Sequence, residues 1–350
     1  MTARLTLNEK RLVRQAHFIQ SKADTIAVVK NDGYNHGLER VYRTFYEGGI
    51  RAFSTTVLSE AIQLRKWNSD IFILLLDPNT EFQLIREYDI TLTVSSFDYY
   101  EKYKDELKGI TIQLVFRNDL NRLGFDHLDD MKQILDDKDL NVNGIWTHFA
   151  SADDFGVDRY QKEKEKWQTV IKGLRAYLPR LKYIHAQNSA SFLRDGPLPH
   201  HTHIRGGVIL YGARPYYEGL DASLAEQVVS IEANVIELTS VEGGQTIGYS
   251  ADYKLEKDAK IAVCDIGYGN GLLKARKNFP VLINGKAYPI RSIMMSHILI
   301  EADNNVEIGD SVILYNDALR FDWFANQGIG PFSQQMASLN KQTFELTIIK

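Results

Sequence analysis

Few side chains in this chain stand where they could do covalent or proton-transfer chemistry, and Lys30 is the first of them. It follows the apolar run Thr25–Val29 and precedes Asn31-Asp32-Gly33-Tyr34-Asn35-His36-Gly37. An ammonium beside apolar neighbours is partly desolvated; its pKa falls, and the free amine can attack a carbonyl to form a Schiff base. The same placement suits a lysine that snorkels to water, and the residue alone leaves both readings open. His148 closes another apolar run, Val142–His148, where a histidine is either a proton carrier or a satisfied structural ring. Asn188 and Ser189 follow the run Tyr183–Ala186. They read as a helix N-cap or as the start of an anion site, since both uses draw on the exposed N–H groups of a helix start. Arg122 carries the planar fork that bonds anionic oxygens in two places, and is equally a surface arginine by its type.

These residues must be held by the elements around them. The first 215 or so residues alternate short apolar runs with longer amphipathic stretches. Eight runs read as strands: Thr25–Val29, Arg51–Thr56, Ile71–Leu76, Ile90–Val94, Thr111–Phe116, Val142–His148, Tyr183–Ala186 and Ile204–Leu210. Between them the spacing predicts helices such as Leu38–Glu47, Ser59–Lys66, Gln83–Tyr88, Leu128–Leu135 and Lys162–Ala176. Strands alternating with helices indicate a parallel sheet, and eight such units indicate an α/β fold of the (β/α)8, TIM-like barrel type. A lysine or histidine at the carboxyl end of such a strand points to the face where these barrels carry chemistry.

From about Gln227 the runs become short and β-rich, separated by turn signals such as Glu242-Gly243-Gly244, Asn284-Gly285 and Gly309-Asp310. The expected division is therefore 1–225 for the barrel and 226–350 for a mostly-β domain. Within the latter, Val281–Tyr288 is a hairpin candidate because Asn-Gly favours a tight primed turn. Asn8–Ser21 reads as a helix with Asn8 as its N-cap, free to pack on either domain.

Composition narrows the function classes. The 350 residues are 44% hydrophobic and 25% charged with a net charge of −4, an ordinary soluble mixture that gives no electrostatic case for nucleic acid or an anionic membrane. The basic run Lys274–Lys277 reads as a solvated loop. The single cysteine, Cys264, excludes an intramolecular disulfide, suits a cytoplasmic setting, and lies in an apolar stretch that suggests burial. The N-terminus shows no signal-peptide core, and no apolar run approaches the ~20 residues of a membrane helix. No metal site is expected.

The ordered set of motifs resembles the alanine racemases. Ala27-Val28-Val29-Lys30 with Tyr34, His36 and Gly37 matches their lysine signature; Asn121-Arg122-Leu123-Gly124, Trp146-Thr147-His148-Phe149-Ala150, His185-Ala186-Gln187-Asn188-Ser189, Arg205-Gly206-Gly207-Val208 and Thr246-Ile247-Gly248-Tyr249-Ser250 follow in order. The resemblance implies a fold-type III pyridoxal-phosphate enzyme, a barrel followed by a β domain, in which Lys30 forms the Schiff base with the cofactor and Tyr249 is the second base. It implies Tyr34, Asn188, Ser189, Gly207 and Val208 around the cofactor and its phosphate, His148 beside the ring and the tyrosine, and Arg205 facing the pyridine nitrogen. Arg122 would contact both cofactor and substrate carboxylate, Tyr268 the substrate entrance, and Met295 the substrate carboxylate through its backbone. Racemisation takes a proton from one face of Cα and returns one on the other, which two bases on opposite faces do directly.

The resemblance further implies a head-to-tail homodimer with composite sites, cytoplasmic and supplying D-alanine for peptidoglycan. Three departures stand out. Val115 takes the place of the family's carbamylated lysine, so Arg122 would be oriented otherwise, for instance by an anion near Arg117. Ser296 replaces an aspartate, and Leu346 falls near the family's C-terminal tyrosine. The competing readings are a racemase for serine or another amino acid, a pyridoxal-phosphate decarboxylase, and a non-catalytic pyridoxal-phosphate carrier.

Overall fold

A computed structural model describes residues 2–217 and 219–350. The chain divides into two compact units, Leu12–Tyr216 and the residues up to Arg11 together with Tyr217–Lys350. The sequence places the change at 225/226, whereas the units divide at Tyr216/Tyr217. The N-terminal residues join the later unit because Arg4–Asn8 is a strand, absent from the sequence reading, that pairs antiparallel with Val229–Glu232 and parallel with Glu345–Ile349. The helix behind it runs Glu9–Gln20, and the Asn8 side chain accepts from the Arg11 N–H at 3.1 Å, as an N-cap does.

Unit Leu12–Tyr216 is an eight-stranded parallel barrel. Its strands are β1 Thr25–Val28, β2 Ala52–Thr55, β3 Phe72–Leu75, β4 Thr91–Val94, β5 Thr111–Val115, β6 Asn141–Trp146, β7 Tyr183–His185 and β8 Ile204–Gly206. Each pairs with the next from β1 to β7, and β1 also pairs with β8. The seam between β7 and β8 is joined by single bonds, Thr202 N–H to Ile184 O and Arg205 N–H to Gln187 O, both 2.8 Å. Val28, Leu74, Leu76, Val115 and Trp146 form one cluster, and Ile26, Ala52 and Tyr183 another. Since each cluster includes strands that are not neighbours, β1, β3 and β5 in the one and β1 and β7 in the other, the side chains meet across the barrel interior. Val208–Leu210, read as the end of the last strand, is instead part of a 3₁₀ turn, Val208–Tyr211. Ser189 Oγ accepts from the N–H groups of Gly207 (3.1 Å) and Ile209 (3.4 Å) there, which bends the chain off the sheet.

The segment after β1 is left-handed. Asn31, Asp32, Gly33, Tyr34 and Asn35 have φ of 55°, 55°, 59°, 51° and 64°. Such residues cost about 1–2 kcal/mol each outside glycine, least for Asn and Asp, whose short polar side chains bond locally. The bonds are present: Asp32 N–H donates to Glu60 Oε1 at 2.7 Å, Leu38 N–H to Asp32 Oδ1 at 2.8 Å, and Gly33 N–H to Val29 O at 2.9 Å. At Gly33 a Cβ would lie 2.5 Å from Val41 Cγ2.

The other unit holds a nine-stranded sheet built on Val229–Val241 and a separate two-stranded one. Val281–Ile283 and Lys286–Tyr288 form the expected hairpin, with Asn284 and Gly285 at φ 51° and 77°. Cys264 is buried, and burial pushes its thiol pKa up. The Lys274–Lys277 run is not a wholly solvated loop: Arg276 is completely buried, donating to the carbonyls of Phe279, Pro280 and Leu314 and lying over the Phe324 ring at 4.1 Å.

Gly33→Ala combines a left-handed backbone with a collision, and the expected loss of stability is about 2–4 kcal/mol. Gly196→Ala, at φ 66° with nothing within 4 Å of the added carbon, costs the backbone term alone, about 1 kcal/mol. Urea unfolding of the two variants side by side measures the difference; equal losses would place no weight on the Val41 contact.

Candidate active site

The carboxyl ends of the barrel strands enclose a cavity of about 320 Å³. Lys30 and Tyr34 reach it from β1, Arg122 from the loop after β5, and His148 from the end of β6. Asn188 and Ser189 follow β7, and Arg205, Gly207 and Val208 come from β8 and its turn. Residues spread over more than 170 positions of sequence are thus neighbours.

Arg205 organises the floor. It is 3% exposed and has no carboxylate partner among the described residues. Its Nη1 donates to His185 Nδ1 at 2.7 Å and to His185 O at 3.2 Å. Its Nη2 donates to Thr147 O at 2.7 Å, Ala186 O at 3.0 Å and His148 Nδ1 at 3.1 Å. The Nε–H is the remaining donor and has no acceptor among the described residues. Burial, with the charge of Arg122 second, pushes its pKa down to about 9, which leaves it a cation at neutral pH. Arginine only donates, so both histidines accept through Nδ1 and carry their proton on Nε2. His185 Nε2 then donates to Gln113 Oε1 at 2.9 Å, and Gln113 Nε2 to Asn143 Oδ1 at 3.1 Å. Burial and then the Arg205 charge hold both rings far below their ordinary pKa, with Arg122 and Lys30 adding to the effect at His148.

At the other end Gly207, Ser189 and Tyr34 converge. A carbon added at Gly207 would stand 3.4 Å from the Tyr34 hydroxyl and 3.7 Å from Ser189 Oγ, so the glycine leaves a small polar space. The Gly207 N–H is spent on Ser189 Oγ, which frees the serine proton to be donated elsewhere. The Val208 N–H has no partner among the described residues. Burial pushes the Tyr34 phenol up to about 12, keeping it a donor. Asn188 is occupied structurally: its Oδ1 accepts from Ser191 N–H at 3.0 Å and its Nδ2 donates to Phe149 O at 2.9 Å.

Lys30 lies half-buried between these ends, its pKa lowered by burial and then by Arg122, against an opposing pull from Asp77. Arg122 is exposed at the mouth and makes no hydrogen bond among the described residues. Its loop is closed by Arg117 N–H to Phe125 O at 2.9 Å and Phe125 N–H to Val115 O at 2.8 Å. Val115 is buried in the apolar barrel cluster, and Arg117 pairs with Asp126 at 2.5 Å.

Tyr249, Tyr268 and Met295 belong to the other unit. There they are 63%, 38% and 58% exposed. The Tyr268 N–H donates to Met294 O at 2.9 Å and the Gly269 N–H to Met295 O at 2.8 Å, which fixes the tyrosine turn against the methionines. Gly267 is needed for this approach, as a Cβ would fall 2.3 Å from Met294 O. Met295 is a surface residue, and Met294 joins the apolar cluster instead. No hydrogen bond to the Tyr249 hydroxyl is present among the described residues. Leu346 sits in the C-terminal strand, opposite Leu5.

The sequence reading passed over Gln113, His185, Glu60 and Glu163. His185 lay inside a quoted motif with no role attached. Glu163 is completely buried and takes the N–H groups of Ala150 (2.9 Å) and Ser151 (3.3 Å), anchoring the loop behind His148. Its only sequence signal was an acidic residue on the apolar face of a helix.

The two rings at Arg205 make stability depend on pH. Their folded pKa values lie below the unfolded value near 6.5, so the unfolded chain binds the extra protons. The contribution is complete above pH 6.5 and is lost as pH falls below it, by up to about 2.7 kcal/mol per pH unit for two rings. Urea midpoints measured from pH 7 to pH 5 are expected to fall; a flat profile would mean that the rings are charged in the folded protein.

Comparison with known proteins matches this architecture. The alanine racemase N-terminal domain model matches residues 3–215 and the C-terminal domain model residues 228–333. The chain is 42% identical to alanine racemase 2 of Staphylococcus aureus (strain Mu50 / ATCC 700699) over 354 residues, covering 99% of this chain and 98% of that protein. It is 30% identical to the alanine racemase of Streptococcus pneumoniae (strain Hungary19A-6), covering 83% and 80%. Among solved structures, it resembles alanine racemase from E. faecalis with a TM-score of 0.86 at 24% identity over 99% of this chain and 98% of that one. The alanine racemase of D-cycloserine producing Streptomyces lavendulae gives 0.89 at 20%, over 100% and 97%; at these identities the likeness is one of fold. The chain belongs to the alanine racemase family.

Proposed function

We propose that the protein interconverts L-alanine and D-alanine with pyridoxal phosphate, in the cytoplasm, supplying D-alanine for peptidoglycan. The family depends on that cofactor, and the cavity offers what it needs. One observation carries the fit: a buried arginine whose single unused donor, Nε–H, lines the same cavity as a lysine with a lowered pKa and a phosphate-sized set of donors. Lys30 would hold the group through its amine, Arg205 through its ring nitrogen, and Tyr34, Ser189 and Val208 through its phosphate, with His148 beside the ring. When bound, pyridoxal phosphate draws electrons from the substrate's Cα and makes its hydrogen acidic.

The protein's own residues determine the rest. Arg205 is a donor that does not give up its proton, so it would leave the ring nitrogen of a bound cofactor largely unprotonated and moderate its electron withdrawal. That limits how far the carbanion's charge spreads and disfavours transamination. Lys30 would move the proton on the face giving the D-enantiomer, and Tyr249 on the opposite face. Arg122 holds the substrate carboxylate at the mouth, helped by the Met295 backbone, with Tyr268 at the entrance. The described lining residues of the cavity belong to the barrel unit, and Tyr249, Tyr268 and Met295 are exposed on the β unit. This supports a homodimer in which each subunit's β unit completes its partner's site.

Chiral analysis of L-alanine incubated with the protein and added pyridoxal phosphate tests this. Wild type is expected to reach a racemic mixture. Lys30→Ala should lose activity to background and Tyr249→Phe by about 10²-fold or more. Alanine that stays pure L while serine racemises would move the substrate and keep the mechanism. A protein that runs as a monomer at assay concentrations while fully active would remove the composite site.

A further inference from the structure

The barrel unit contains a second cavity, of about 390 Å³, which shares Phe149 with the catalytic one. Its floor is Trp167, Ile171 and Phe149, from the Arg159–Gly173 helix and the end of β6. The floor has no free polar atom: Trp167 Nε1 donates to His201 Nε2 at 2.9 Å, and the His201 Nδ1 side faces the carbonyls of Leu198 (3.3 Å) and Pro199 (3.2 Å). Burial drives the His201 pKa down to about 4, so this ring adds no charge. The mouth is different. Lys172 and Arg175 stand there exposed, with no acidic partner among the described residues, and no carboxylate lines the cavity. Lys164, the third cation, is already paired with Asp195 at 2.8 Å. His200, also at the mouth, is held at φ 67°, a left-handed conformation of the kind found at ligand clamps. An apolar floor with a few polar groups at one end, at this volume, is the make-up of a small-molecule site.

Phe149 belongs to the walls of both cavities. Its carbonyl accepts from Asn188, the residue that caps the helix beginning at Ser189, and its chain neighbour is His148. Glu163, one residue before Lys164, holds the Ala150 and Ser151 backbone. A body pressed against Phe149 therefore acts on the ring beside the cofactor and on the phosphate end together. We propose that this back cavity binds a small carboxylate with an aromatic or branched apolar body, and that its occupancy alters the catalytic cavity through Phe149. The apolar body lies on Trp167 and Ile171, and the carboxylate meets Lys172 and Arg175. Because coupling is reciprocal, loading the enzyme with cofactor changes the affinity of the back cavity by the same factor that the ligand changes cofactor affinity.

The test uses calorimetric titration of the cofactor-loaded protein with 3-phenylpropionate and with its neutral amide. The acid is expected to bind at least tenfold tighter than the amide. A Lys172→Glu/Arg175→Glu variant should weaken the acid at least tenfold, and Leu198→Trp, which fills the cavity from a half-buried loop position, should abolish it; circular dichroism checks the fold of each. The Lys172→Glu/Arg175→Glu variant should keep basal racemisation, and the acid should shift wild-type KM or kcat at least twofold with no effect on Leu198→Trp. Titration of the apoprotein should give a different affinity from the loaded form. Equal binding of acid and amide overturns the proposal. So does binding that excess alanine displaces and Leu198→Trp spares, since the acid then occupies the catalytic cavity.

Discussion

An uncompensated cation at the centre of the barrel is the constraint on which the site depends. Arg205 sits where a charge is expensive, with no carboxylate beside it among the described residues, and is tolerated because three carbonyls and two imidazoles take its Nη protons. Each of those acceptors is fixed by the need. His185 must be neutral with its proton on Nε2, so Gln113 must present an oxygen to it, and Asn143 must then receive the Gln113 amide. His148 is set in the same tautomer by the same arginine. Lys30 is held below its ordinary pKa by other means, burial first and the charge of Arg122 second. One side chain thus sets the protonation of the cavity floor before any ligand enters.

The barrel follows from a periodicity visible along the chain, because each strand is an apolar run closed by a helix with a matching face. Strands β1 to β7 fall within a residue or two of the expected runs. The failure at Val208–Leu210 is instructive. Its residues are as apolar as any strand's, and only the Ser189 hydroxyl, distant in sequence, bends them into a turn. Arg4–Asn8 was hidden for a related reason: five residues with Leu5 and Leu7 inward carry too little pattern to be read without their two partner strands. Arg276 shows the limit for charges, since nothing local announces that three carbonyls await it.

The site was legible as a set of residue types at strand ends, and less so as a set of roles. The nearness of Lys30, Arg122, His148 and Arg205 follows from the barrel alone. The spending of the Gly207 N–H on Ser189, and of Asn188 on Ser191 and Phe149, does not, because hydrogen-bond allocation depends on distances of tenths of an ångström. Glu163 was invisible for the opposite reason. It touches no ligand position, and its buried carboxylate is understandable only once the backbone it holds is in place.

The left-handed run at 31–35 bears on how the protein comes to be assembled. Short of its anchors, that segment has little preference for the conformation it adopts, and it is held by Glu60 from beyond β2 and by the helix that begins at Leu38. Those anchors exist only when the first strands have paired and their helices have docked. Lys30 therefore takes up its position only once Glu60 and the helix beginning at Leu38 are in place beside it. A chain that lacks those anchors carries the same amine without the burial and the neighbouring Arg122 charge that lower its pKa.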